Sequence, residues 1–329
     1  MNQQPLVTIA VAAYNVEKFI RKGMDFVFAQ TYSNVEIILV DDGSTDSTSD
    51  ICDELKLEHN NLTVIHKKNG GLGSARNTGI EHAHGKYIYF FDVDDAISPD
   101  LIEYNVYISE KYKSQLNIFS FHVLNYNDPK DNGEDIVLEE RFINDNEILK
   151  KVYCDKLLFT KHGNGFVWNK FYLLSFIKDN KLKFGNQKIQ QDEPFNMQLY
   201  PILKRVYISS KVLYKYFIYS SGNNGTRFLM DKFEIVTEVF YKFINFYNVW
   251  EIKDKRVLDY IYNRYWNNII QSLTSNMIHK DNPMKYSEKI NHMKKIIESN
   301  EVKRLIKYEA NNSQISQSIY YRWIKIGRA

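Results

Sequence analysis

Within the first hundred residues, four apolar runs of strand length alternate with stretches of helical periodicity: 6–13 (LVTIAVAA), 35–40 (VEIILV), 62–66 (LTVIH) and 86–91 (KYIYFF). Runs this rich in β-branched residues suit strands covered on both faces. Asn15 can cap a helix reaching about Thr31, and Asp46 or Ser47 one reaching about His59; residues 76–84 read as a third helix. The alternation, with its short connections, predicts an α/β fold. Its core is a mostly parallel, right-handed sheet flanked by helices, with ligands at the carboxyl ends of the strands. Beyond residue 100 the pattern loosens. Residues 125–135 are turn-rich, and 166–174 and 188–203 read as a strand or loop feeding a helix. From Met230 onward Phe233, Val236, Val239, Phe240 and Phe243 recur at three- and four-residue spacing. The expected division is therefore a catalytic domain over 1–225 and a C-terminal helical domain over 226–329, the first itself split into 1–100 and 101–225.

Composition narrows the function classes. A net charge of +3 is not that of a polycation built for nucleic acid. The charge is uneven, however: residues 280–329 hold 11 Lys/Arg against 5 Asp/Glu, a basic tail on a weakly acidic body. Two cysteines, Cys52 and Cys154, make no disulfide framework, and no secretory signal opens the chain. No apolar run approaches the roughly 18–20 residues of a spanning helix. A cytoplasmic setting is expected.

Three strand ends carry the polar residues. Phe91-Asp92-Val93-Asp94-Asp95 places three carboxylates in four residues after an apolar strand. They repel one another unless a cation such as Mg²⁺ or Mn²⁺ takes their oxygens together with substrate phosphates. Asp92 and Asp94 share a face if the strand continues, and Asp95 can cap the next helix; the plainer reading makes all three turn residues. At the second strand end, Asp41-Asp42-Gly43-Ser44-Thr45-Asp46 supplies acceptors for a base N–H or ribose hydroxyls, and is also a common strand-to-helix turn. The third, Asn69-Gly70-Gly71-Leu72-Gly73-Ser74-Ala75-Arg76-Asn77, departs from a dinucleotide fingerprint because Arg76 stands where its last glycine belongs. Its glycines and Arg76 still suit a loop against a nucleotide diphosphate, with Arg76 as a forked donor.

Tyr14-Asn15, Asp41 to Asp46, Asn69-Gly70-Gly71 with Ala75-Arg76-Asn77-Thr78-Gly79, and Asp92-Val93-Asp94-Asp95 stand in an order and spacing that resembles glycosyltransferase family 2. These are inverting bacterial enzymes of GT-A fold, and the resemblance covers about residues 5–225. It implies Tyr14 and Asp41 at the base of the donor nucleotide, with Asp42 and Arg76 near ribose or base. It also implies Gly71 beside the donor, and Asp92 and Asp94 as the metal pair holding the donor diphosphate. The stretch Gln190-Gln191-Asp192-Glu193-Pro194-Phe195 matches the family's catalytic-base segment. By register Asp192 takes the base position, with Glu193 a second carboxylate beside it; the same residues also make a good helix start. Trp168, in Trp168-Asn169-Lys170, could stack on an acceptor sugar or simply be buried. Tyr214-Lys215-Tyr216 lacks an arginine found in relatives, for which Arg227 or Lys215 could substitute at the diphosphate. The eight histidines are read as non-catalytic.

The implied activity is inverting transfer of a sugar, from a UDP-sugar by default, to a carbohydrate or lipid-linked acceptor in cell-surface polysaccharide synthesis. The rival readings are a sugar nucleotidyltransferase and a catalytically inactive sugar-binding scaffold. Ala12-Ala13-Tyr14-Asn15 replaces the basic glycine-rich loop that the first would need, and intact Asp92, Asp94 and Asp192 count against the second. Tyr320-Tyr321-Arg322-Trp323-Ile324-Lys325-Ile326 fits a peripheral anchor on a membrane, an oligomer contact or a helix packed on its own domain. The sequence names neither sugar nor linkage.

Overall fold

The computed structural model describes residues 4–128, 130–163, 165–219 and 228–311. Packing divides the chain into two compact units: Met1–Asn223 with Phe246–Lys253, and Asn224–Asn245 with Asp254–Ala329.

The first unit opens with four strands and three helices in strict alternation: β1 (Val7–Ala13), α1 (Ile20–Phe28), β2 (Val35–Asp41), α2 (Thr48–Glu58), β3 (Leu62–His66), α3 (Leu72–His82) and β4 (Tyr87–Asp92). It continues through β5 (Ala96–Ile97), α4 (Leu101–Tyr112), β6 (Leu116–Asn125), β7 (Glu134–Ile136), β8 (Arg141–Ile143), α5 (Asn146–Val152), β9 (Lys170–Leu173), α6 (Leu174–Asp179), α7 (Asp192–Leu199) and β10 (Val206–Ile218). One sheet runs β3-β2-β1-β4-β9-β6-β10-β5. Its first four strands are parallel, as their doubly buried apolar runs predict. From β9 onward parallel and antiparallel pairs mix: β9 runs against both β4 and β6, while β6 and β10 are parallel.

The register places the site. Ala13 of β1 sits opposite Asp41 of β2, and Ala12 sits opposite Asp92 of β4. The two acidic strand ends therefore flank β1, about 10 Å apart at two strand spacings. That is the scale of a nucleotide laid across them. The small residues of β1 admit α3 closely: a Cβ on Gly79 would lie 3.1 Å from the Cβ of Ala10.

Two local expectations are corrected. Asn15 does not cap α1, which starts at Ile20; it adopts a left-handed φ of 53°, and its Oδ1 accepts from the Thr45 backbone N–H at 2.8 Å. It ties the end of β1 to the loop after β2 instead. Asp95 does not cap a helix either. Its carboxylate accepts from Tyr214 Oη at 2.6 Å and the Phe217 N–H at 2.8 Å, which anchors β10 beside the acidic turn.

The second unit is helical, as its aromatic periodicity predicts. Its helices are α8 (Lys232–Val249), whose end from Phe246 belongs to the first unit, α9 (Lys255–Leu273), α10 (Tyr286–Ile297) and α11 (Asn300–Asn311). Val236, Tyr265, Trp266, Ile269, Ile296, Val302 and Leu305 form its core. Among the described residues no helix is long and apolar enough to cross a membrane. The basic-aromatic segment 320–326 lies outside the described residues.

Candidate active site

The carboxyl ends of β1, β2 and β4 and the starts of α3 and α7 converge. Tyr14, just past β1, is 45% exposed. Asp41 and Asp42 are both buried but have different tasks. Asp41 accepts from the Ser44 N–H at 3.0 Å and from His66 Nδ1 at 2.9 Å. Burial opposes its ionisation, yet these bonds outweigh it and hold the carboxyl below its usual range. Asp42 turns under the glycine loop. Gly70 and Gly71 donate their N–H groups to it at 3.0 and 2.7 Å, and Lys67 Nζ donates at 2.7 Å. Its carboxylate thereby builds the loop, and Gly71 supports the turn with a φ of 86° that disfavours any other residue.

His66 escaped the sequence reading. It ends β3 in register with Asp41, and its two ring nitrogens face Asp41 and Asp53, at 2.9 and 3.2 Å. Parallel register between two adjacent strand ends was the signal that could have found it. The bond to Asp41, against a lowering by burial and with help from Asp53, raises its pKa above 6.5. Stability from a histidine raised on folding is full below its unfolded value and is lost as pH rises through the folded one. His66→Gln should therefore cost more stability at pH 5.5 than at pH 8.5. Urea titrations of both proteins at the two pH values measure it; an equal deficit at both would show that the imidazolium plays no part.

Arg76 is the centre of the arrangement. Its side chain is 3% exposed, and its two terminal nitrogens reach different carboxylates: Nη2 donates to Asp92 at 2.8 Å and Nη1 to Asp192 at 2.5 Å. The sequence suggested a forked donor to phosphate or ribose; here the fork holds two acids, one at the end of β4 and one at the start of α7. Asp192 stands at the first position of α7, and its other oxygen accepts from the Val167 N–H at 3.2 Å.

Asp94 is different. β4 ends at Asp92, so Asp92 and Asp94 do not share a strand face; Asp94 follows in a turn. Among the described residues no other residue donates a hydrogen bond to its carboxylate. Burial and then the neighbouring Asp92 push its pKa up to about 6. Burial also raises Asp92, despite Arg76. A carboxylate so raised and so lightly bonded is what a divalent cation would relieve. Among the described residues, no group of three or more His, Cys, Asp or Glu side chains is arranged to hold a metal. Asp94 and the remaining oxygen of Asp92 thus fit a cation that completes its shell from substrate phosphates.

Trp168 is buried and stacks on Tyr214 at 4.2 Å and on Phe166 at 4.5 Å, so it is core and not a sugar platform. Arg227 lies outside the described residues. Lys170 was named in the sequence only as part of Trp168-Asn169-Lys170, with no role of its own; its side chain is fully buried.

A parallel half-sheet with acids at its strand ends, joined to a mixed half and to a helix that brings in a third acid, is an α/β fold of GT-A type. The family described as Glycosyl transferase family 2 matches residues 8–179, and the chain belongs to that family. It is 33% identical over 224 residues to EpsH of Bacillus subtilis, a protein named as a glycosyltransferase, covering 67% of this chain and 63% of EpsH. It is 30% identical over 247 residues to glycosyltransferase GlyG of Streptococcus pneumoniae, covering 73% of this chain and 80% of GlyG. The chain thus spans less than two thirds of EpsH. Among solved structures, S. aureus TarS 1-349 in complex with UDP-GlcNAc superimposes with a TM-score of 0.60 at 20% identity, covering 89% of this chain and 80% of that one.

Proposed function

We propose that the protein is an inverting glycosyltransferase using a UDP-sugar donor and a carbohydrate acceptor in cell-surface polysaccharide synthesis. The observation that carries this reading is the Arg76 bridge, which holds Asp192 one guanidinium away from Asp92. In the proposed reaction Asp192 takes the proton from an acceptor hydroxyl. That oxygen bonds to the anomeric carbon from the face opposite the diphosphate, and the bond from carbon to the diphosphate oxygen breaks with its electron pair leaving on UDP. Asp92 and Asp94 would hold Mn²⁺ or Mg²⁺, which when bound supplies charge neutralisation for the departing diphosphate. Tyr14 and Asp41 serve the base, and Asp42 shapes the loop that presents Gly71. UDP-GlcNAc bound to the TarS fold supports the choice of nucleotide.

Calorimetry against UDP-, GDP-, CMP- and dTDP-sugars, with Mn²⁺ and then with chelator, tests the reading. Metal-dependent binding of a UDP-sugar is expected; no binding of any nucleotide sugar under either condition would overturn it. Peripheral attachment through the basic tail is part of the proposal. Deleting residues 313–329 should abolish pelleting with anionic liposomes, and unchanged pelleting would remove the tail from the picture.

A further inference from the structure

Lys170 opens β9 with no exposed surface, an ammonium buried in a protein that could have placed leucine there. Burying one charge costs several kcal/mol unless its environment compensates. The compensation here is specific. Nζ donates to the Phe166 carbonyl at 2.6 Å and to Asn169 Oδ1 at 2.9 Å, and the Lys170 backbone N–H closes the turn on the Val167 carbonyl at 3.1 Å. Asn196 of α7, itself held by Tyr172 Oη at 2.9 Å, reaches the same Phe166 carbonyl at 3.2 Å and the Gly165 carbonyl at 2.8 Å.

The carbonyl that Lys170 grips and the N–H that donates to Asp192 belong to one peptide unit, Phe166–Val167. A peptide is planar and conjugated. A cation on its oxygen draws electron density toward that end and makes its N–H a stronger donor, as chained hydrogen bonds polarise one another. Fixing the oxygen also fixes the direction in which the N–H points. The Asp192 carboxylate thus sits between two positive influences: Arg76 directly on Oδ1, and Lys170 through a peptide on Oδ2.

We propose that Lys170 is a positioning residue for the transfer reaction, acting on the Asp192 carboxylate through the Phe166–Val167 peptide. The inference rests on the reading of Asp192 as general base. The ammonium donates to the Phe166 carbonyl and to Asn169 Oδ1 in the preceding turn, and it feels the Asp192 and Glu193 carboxylates of α7. Burial pulls the ammonium down to about 7 against the opposing pull of Asp192 and Glu193. Its charge, and with it the polarisation of the peptide, should fade as pH rises through that region.

The test has two arms on the full chain. The first follows UDP release from UDP-GlcNAc with water as acceptor, in Lys170→Met and Lys170→Arg. Lys170→Met should lower kcat about tenfold or more with the donor KM within about twofold, as loss of an orienting partner does. Wild-type kcat should fall above about pH 7, while the Lys170→Met profile lacks that limb. A kcat within about twofold of wild type, or a KM that rises as far as kcat falls, overturns the proposal.

The second arm needs no lysine variant, should Lys170→Met fail to fold. Labelling carbonyl-¹³C phenylalanine with ¹⁵N valine leaves two Phe-Val amide signals, from Phe26–Val27 and Phe166–Val167. One should titrate near pH 7 and change in Asp192→Asn, while the other stays still. Two signals that do not move between pH 6 and 9 overturn the proposal. Wild-type protein that releases no UDP from UDP-GlcNAc and binds no nucleotide sugar overturns the transferase reading instead, and the labelled amides still decide whether Lys170, peptide and Asp192 are coupled.

Discussion

Arg76→Met is expected to lose about 3 kcal/mol of stability at neutral pH, the low end for breaking a buried ion pair. Two features set that size. The guanidinium is almost wholly buried, so removing it leaves Asp92 and Asp192 facing each other with no cation between them. Both carboxylates are partly exposed, 26% and 19%, and that solvent access keeps the loss from reaching the upper end. The pH dependence distinguishes this account from a packing defect. Two uncompensated acids favour a shared proton, so the folded variant binds more protons than the unfolded chain. Its stability then falls as pH rises and recovers as pH drops. Urea unfolding at pH 5 and pH 8 should show a deficit clearly smaller at pH 5. A deficit equal at both would mean that Arg76 contributes shape and not charge. Methionine keeps an unbranched aliphatic stem while removing the guanidinium, whose carbon stands 5.4 Å from the Phe184 ring centre.

The second large effect separates the two acidic groups by role. Asp192→Asn is expected to reduce transfer by about 10²–10⁴-fold, the usual contribution of a general base, while metal-dependent donor binding survives. Asp94→Asn should lose that binding. The asymmetry follows from what each carboxylate touches: Asp192 is engaged by Arg76 and the Val167 N–H, whereas Asp94 accepts from no other described residue. Donor titrations in the presence of Mn²⁺ decide it. If both variants bind donor equally well or equally poorly, the proposed division between base and metal site is wrong. Product stereochemistry, read from the anomeric proton coupling, checks the inverting step separately.

Much of the candidate site's layout is legible in the sequence because it lies at strand ends. A strand pleat and a parallel register leave few places for Asp41 and Asp92 to go once β1, β2 and β4 are recognised. The C-terminal helices were equally visible, since Val236 and its neighbours repeat at helical spacing. The misplaced features are those whose partners are remote in sequence. Asn15 and Asp95 each offered a local role as a helix cap, and Trp168 was open between sugar platform and core. Each instead meets a partner some 30 to 120 residues away: Thr45, Tyr214 and Tyr214 again.

By itself, then, the sequence determined the parallel half-sheet, the acids at its edge and the family to which the chain belongs, because hydrophobic periodicity and strand-end chemistry are local properties. Tertiary structure alone decided which acids are paired. Arg76 and Asp192 lie 116 residues apart, and the burial of Lys170 follows only once β9 is threaded between β4 and β6. Whether a charge is a solvated decoration or a buried clamp depends on the dielectric around it and on the distance to its counter-charge, and both are set only when the chain has packed.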